Sequence, residues 1–98
     1  DISGWDVSNV TNMNSMFGGQ DTIGSLAFFN GDISGWNVSS VSNMDGMFYK
    51  NQIFDQDISG WNVNNVSSAV SFSTDYGAAG WTRSEHPSNA NLGNFADL

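Results

Sequence analysis

Residues 1–7 read DISGWDV, residues 32–38 read DISGWNV and residues 57–63 read DISGWNV: three copies of one heptad in a chain of 98 residues. Self-similarity at a fixed step marks a repeat architecture and takes precedence over any local reading. The likeness extends outward from the heptads. Asn12 and Met13 match Asn43 and Met44, Met16 and Phe17 match Met47 and Phe48, and Phe29 and Asn30 match Phe54 and Asp55. The steps are 31 and 25 residues, so the basic unit is 25, and the first copy carries six extra residues within GGQDTIGSLAF at 18–28.

The apolar positions of one unit are Ile2, Trp5, Val7, Val10, Met13 and Met16 or Phe17, and the register recurs as Ile33, Trp36, Val38, Val41, Met44 and Phe48. The first four follow the LxxLxLxx spacing of a leucine-rich repeat, which predicts a short strand with alternate side chains inward. Val10, Met13 and Phe17 fall at i, i+3 and i+7, one face of a short helix. The fold class read from this pattern is α/β: a leucine-rich-repeat-like solenoid with one short parallel strand and one short helix per turn of about 25 residues.

One such unit cannot bury its own apolar edge, so neighbouring turns must stack, and about three are needed. The expected division is a repeat solenoid over residues 1–72, with copies at 1–31, 32–56 and 57–72, followed by a C-terminal capping segment at 73–98. The third copy departs from the pattern after Val66, with Ala69 where Met13 and Met44 stand and Phe72 in place of Met16 and Met47. Beyond it the sequence is non-repetitive and carries Arg83, Glu85, His86 and Pro87, the sole Arg, Glu, His and Pro of the chain.

Composition narrows function. Ten acidic residues stand against Lys50 and Arg83, a formal charge of -8. This argues against nucleic acid and anionic lipid as partners, since both require a cationic surface. The absence of cysteine excludes disulfides, thiolate zinc sites and cysteine nucleophiles. No apolar run approaches the length of a membrane span, so direct membrane insertion is not expected. The chain opens at Asp1 inside a repeat, from which the biological N-terminus and any targeting signal are expected to lie outside this sequence. The polar, lysine-poor, acidic composition suits an extracellular or cell-surface protein.

The strings DISGWDVSNVTNMNSMF and FNGDISGWNVSSVSNMDGMF resemble the BspA-type surface-protein repeat, a variant leucine-rich repeat, over residues 1 to about 72. The resemblance implies a non-enzymatic protein associated with adhesion at cell surfaces, and supplies no ligand. The insertion after Phe17, the altered third copy and the tail depart from that pattern.

Trp5, Trp36 and Trp61 are expected in the core, as the leucine-rich spacing turns them inward and large aromatics favour burial. The expected contact face is the outward strand strip: Ser3, Asp6, Ser34, Asn37, Ser59 and Asn62, with Gly4, Gly35 and Gly60 between them. A bespoke pocket requires neighbouring turns to differ, and the Ser and Gly of this strip do not. The strip therefore suits either backbone geometry or a ligand that is itself periodic, such as a glycan chain or a crystalline surface.

Asp1, Asp32 and Asp57 come into register on stacking, and their mutual repulsion calls for compensation by backbone amides of the adjoining turn or by calcium. Asp32, Asp55 and Asp57 are weak calcium candidates. The segment from Asp55 fills the first six places of an EF-hand loop but has Val66 at the twelfth, and that from Asn30 has Val41 there. No metal or other cofactor is therefore expected. His86, beside Ser84 and Glu85, reads as a solvated turn, because catalytic triads assemble from separated elements. Asn9, Asn37 and Asn65 head N-x-[ST] sequons and would be glycosylated in a eukaryotic host.

The function expected is a non-catalytic adhesion or interaction module that meets a surface protein or a glycan. The alternative is a structural spacer whose partners are copies of itself, with Leu26, Phe28 and Phe29 of the insertion as a lateral contact.

Overall fold

The computed structural model describes residues 1–19, 26–73 and 81–98. Each heptad folds as two consecutive tight turns. In the first, the amide of Trp5 donates to the carbonyl of Ile2, that of Trp36 to Ile33 and that of Trp61 to Ile58, each at 3.1 Å. In the second, Val10 donates to Val7, Val41 to Val38 and Val66 to Val63, at 2.9 to 3.0 Å. An Asp or Asn sits at the mouth of every turn. The Oδ1 atoms of Asp1, Asp32 and Asp57 accept from the amides of Ser3, Ser34 and Ser59, and those of Asp6, Asn37 and Asn62 accept from Ser8, Ser39 and Asn64. A carboxylate or amide oxygen bonding two residues ahead imitates a backbone turn and fixes it.

The copies then lie side by side. Asn12 bridges Asn43, and Asn43 bridges Ser68, all parallel. Amides of Met13, Ser15, Phe17 and Gly19 donate to the carbonyls of Asn43, Asp45, Met47 and Tyr49. One copy further on, Met44, Gly46 and Phe48 donate to Ser68, Val70 and Phe72 at 2.8 to 2.9 Å. Along this run the first copy hands alternate N–H groups to the second and the second to the third, while Ser42 and Ser67 donate back to Thr11 and Ser42.

This corrects the expectation of an α/β, leucine-rich-repeat-like solenoid with one strand and one helix per turn. Among the described residues there is no α-helix. The regular strands are β1 (Ser88–Asn89) and β2 (Gly93–Asn94), a two-stranded antiparallel sheet pairing Ser88 with Asn94 and Asn89 with Gly93. Short 3-10 helices at Arg83–Glu85 and Phe95–Asp97 flank it. The heptad is not a strand because its side-chain oxygens close turns at both ends. The stretch after it is not a helix for two reasons. Alternate amides reach across to the next copy while those of Met16, Gly18, Met47 and Tyr49 close tight turns three residues back, and Ser15, Gly46 and Ser71, one residue per copy at the same place, have φ of 57°, 62° and 56°. A left-handed residue there cannot continue a right-handed helix.

Burial follows the stacking. Phe17, Phe48 and Phe72 form one aromatic column, with centroids 5.7 and 5.3 Å apart; Phe29, Phe54 and Trp81 form a second beside it, at 6.1 and 4.9 Å. The columns pair within each copy through Phe17 with Phe29 and Phe48 with Phe54, each pair stacked at 4.1 Å. Asn51, fully buried, completes this layer. Its NH₂ donates to the carbonyls of Phe17 and Phe29, and its Oδ1 accepts from the amides of Ile53 and Phe54. All its hydrogen-bonding capacity is used, as burial of an amide demands.

Residues 81–98 pack on the third copy. The carbonyl of Glu85 accepts from the amide of Ile58, and the amide group of Asn89 donates to the carbonyls of Val63 and Val66. Phe95 is fully buried there.

Candidate functional site

The six residues expected to form an outward strand face, Ser3, Asp6, Ser34, Asn37, Ser59 and Asn62, are all exposed. They lie in turns, not strands, and the Oδ1 of Asp6, Asn37 and Asn62 each accepts within its own turn. Asp6, Asp32 and Asp57 each accept both the hydroxyl and the amide of the Ser two places on, at 2.6 to 3.1 Å. The Ser hydroxyl bond first, and then the amide bond, hold these three carboxyls below the usual range. Asn37 does the same for Ser39.

Compensation of the aligned Asp1, Asp32 and Asp57 thus comes from within each copy and not from the adjoining turn. Asp55, the remaining calcium candidate, receives its order from Asn30, whose Oδ1 accepts the Asp55 amide at 2.8 Å. Among the described residues no three acidic or histidine side chains converge on a common point. Of the sequon residues, Asn9, Asn37 and Asn65 are exposed, and Asn65 donates to the carbonyl of Ser39 at 2.6 Å. In the insertion, Phe28 is exposed while Phe29 turns inward onto Phe17; residues 20–25 lie outside the described residues.

The tryptophans divide. Trp36 and Trp61 are 4% and 5% exposed, whereas Trp5 is 55% exposed. Each buried indole lies against the copy before it, donating to the carbonyl of Ile2 or Ile33, and Trp5 makes no such contact among the described residues.

His86 is buried, contrary to the solvated turn read from its neighbours. Its ring stacks on Trp81 at 3.9 Å, with Phe72 at its edge. A carbonyl can only accept, so Nδ1 donates to Thr82 O at 2.8 Å, and Nε2 of the neutral ring accepts the Ser73 hydroxyl at 2.9 Å. Burial is the main influence on the imidazole and lowers its pKa from 6.5. A hydroxyl bonded to an imidazole is the first half of a nucleophilic arrangement. Here a backbone carbonyl takes the place of the orienting acid, and the ring is sandwiched in the aromatic column.

A different place offers an open, polar surface. Asn14, Ser15, Asp45, Gly46, Tyr49 and Ser71 line a groove of about 260 Å³ that crosses all three copies. Its floor is the left-handed row Ser15, Gly46 and Ser71. Gly46 opens it: a Cβ there would lie 3.3 Å from the Ser15 hydroxyl and 3.7 Å from Tyr49 Cβ. Asp45 is fixed by accepting from the Ser68 hydroxyl at 2.5 Å and the Val70 amide at 2.8 Å, both through Oδ1. The Lys50 ammonium stands 5.4 Å from the centre of the Tyr49 ring. The groove therefore sets Tyr49 beside hydroxyl, amide and carboxylate groups, a lining suited to a polyhydroxylated or peptide ligand.

None of these groove residues was singled out by the repeated heptad, yet a signal for them existed. Neighbouring copies carry Asn14, Asp45 and Val70 at one position, Ser15, Gly46 and Ser71 at the next, and Gly18 and Tyr49 at a third. That variation is what a bespoke pocket needs.

In-register stacking of a 25-residue unit places the chain among repeat proteins. More particularly, it belongs to the family described as Mycoplasma protein of unknown function, DUF285, whose model matches residues 1–79. No curated protein and no solved structure matches the chain.

Proposed function

We propose that the chain is a non-catalytic module of an extracellular or surface-attached repeat protein, and that it meets a protein or glycan partner through the groove floored by Ser15, Gly46 and Ser71. The observation that carries this reading is that the groove unites the positions where the copies differ, whereas the uniform Ser and Asp of the heptads are occupied in their own turns. The likeness of residues 1 to about 72 to BspA-type surface repeats supports the surface setting. The burial of His86 against Trp81 and Phe72 supports a structural role for it.

The reading is tested by screening the intact chain on glycan arrays and immobilised matrix proteins beside two variants. Tyr49→Ala is expected to lose binding. Asp6, Asn37 and Asn62 changed together to Lys are expected to keep it, and loss in that triple variant alone would return the contact to the heptad turns.

A further inference from the structure

Four of the residues that line the groove, Ser15, Asp45, Gly46 and Tyr49, have their backbone groups engaged within the fold. The amide of Ser15 donates to the carbonyl of Asp45, that of Asp45 to the Asn43 side chain, that of Gly46 to Val70 and that of Tyr49 to Gly46. Their carbonyls accept, in the same order, from Gly18, Ser15, Tyr49 and Gly19. A peptide taken up by strand addition needs an unpaired ladder edge, and these four residues supply none.

Recognition therefore falls to side chains, which form a donor and acceptor set for hydroxyl groups. Asp45 Oδ1 takes the Ser68 hydroxyl at 2.5 Å and the Val70 amide at 2.8 Å, while Oδ2 accepts from none of the described residues. Asn14 Oδ1 takes the Ser15 hydroxyl at 2.8 Å, while its NH₂ donates to none of them. Asn14 and Asp45 hold one register position in copies that lie parallel, which sets their backbones about 5 Å apart. A hydroxyl both donates and accepts, so neighbouring hydroxyls of a sugar are satisfied together by a carboxylate oxygen and an amide N–H set side by side. Tyr49 adds an aromatic wall, against which the C–H face of a pyranose packs. The volume of about 260 Å³ accommodates one or two sugar residues of a longer chain.

We infer that the groove takes a neutral saccharide, whose hydroxyls donate to Asp45 Oδ2 and accept from the Asn14 NH₂ while its ring lies against Tyr49. This identification of the ligand rests on the groove being the contact site. Charge narrows the class of sugar. Asp45 is the one charged residue of the lining and the chain carries a formal charge of -8, so a uronate, sialate or sulfate group is repelled. The Lys50 ammonium stands at the Tyr49 ring and is not part of the lining.

The test titrates the intact chain against neutral hexose and N-acetylhexosamine oligosaccharides, their sialylated and uronate-bearing counterparts, and a matrix glycoprotein before and after enzymatic removal of its glycans. Two variants keep the local bonds and change the groups offered to the ligand. Asp45→Asn retains an Oδ1 for Ser68 and Val70 but turns the second oxygen into a donor. Asn14→Asp retains an Oδ1 for Ser15 but removes the donor. With folding checked by thermal melts, each is expected to weaken binding of the neutral oligosaccharide by about tenfold or more. Acidic counterparts are expected to bind more weakly than neutral ones, and the glycoprotein to be released by deglycosylation. Failure of every neutral oligosaccharide to bind, equal binding of acidic ones, or a glycoprotein held as tightly without its glycans overturns the inference. In that last case a loss of protein binding in Tyr49→Ala still marks the groove as the contact site. Saccharide binding that Asp45→Asn, Asn14→Asp and Tyr49→Ala all leave unchanged overturns the groove itself.

Discussion

The indole nitrogen of Trp36 lies 3.1 Å from the carbonyl oxygen of Ile2, across 34 residues of sequence, and donates to it. Trp61 repeats the contact on Ile33 at the same distance. The tryptophan of each repeat therefore reports on the copy before it. Trp61→Phe strands a buried carbonyl and leaves a void, which costs about 1–3 kcal/mol. Trp5→Phe, on the open face, is expected to stay within about 0.5 kcal/mol of the parent. Urea denaturation of the two variants measures the difference.

Glycines divide against their prominence in the sequence. A Cβ on Gly18 would collide with the carbonyl oxygen of Gly46 and press on the Tyr49 backbone at 3.1 and 3.2 Å. Gly18→Ala is expected to destabilise by about 1–3 kcal/mol through that overpacking. Gly35, repeated in every heptad, has nothing within 4 Å of its would-be Cβ and no left-handed φ. Gly35→Ala is expected to be neutral or to stabilise by up to about 1 kcal/mol, as the unfolded chain loses freedom. Thermal melts of the two single variants test the contrast.

Acid acts in two windows. The unfolded chain takes up a proton on His86 near 6.5, but burial lowers the folded value. Stability is therefore full above about pH 6.5 and declines as the pH falls from there through the folded pKa. Asp6, Asp32 and Asp57 have folded values below 3.8, held down by their Ser partners. What they contribute is present above that pH and is lost as the pH falls through their lowered values. Melting midpoints against pH should show both declines in the parent and the lower one alone in His86→Gln. A first decline that survives this substitution would assign it to another group.

The sequence disclosed the repeat, its length, its register and most of its core, because periodic burial survives whatever backbone carries it: Ile33, Trp36, Val38, Val41, Met44 and Phe48 are all buried. It did not disclose the backbone between those positions. The i, i+3, i+7 spacing of Val10, Met13 and Phe17 is compatible with a helix, and only the left-handed Ser15 and the cross-copy amide bonds decide against it. The exposure of the heptad Ser and Asp side chains was legible. Their engagement in their own turns depends on distances of 2.6 to 3.1 Å that no pattern displays. His86 was misread for a related reason: its partner Ser73 is thirteen residues away and its covering ring belongs to Trp81.

The groove gives the most direct test of the account, through Gly46→Asn. Asn accepts the left-handed conformation at this position better than most residues, so the fold is expected to hold, while its side chain fills the groove between Ser15 and Tyr49. Titration of the partner found by the binding screen, against parent and variant, should show a loss of about tenfold or more in affinity, some 1.4 kcal/mol, with an unchanged melting temperature. Equal affinity in a folded Gly46→Asn protein would contradict the assignment of the groove as the contact site.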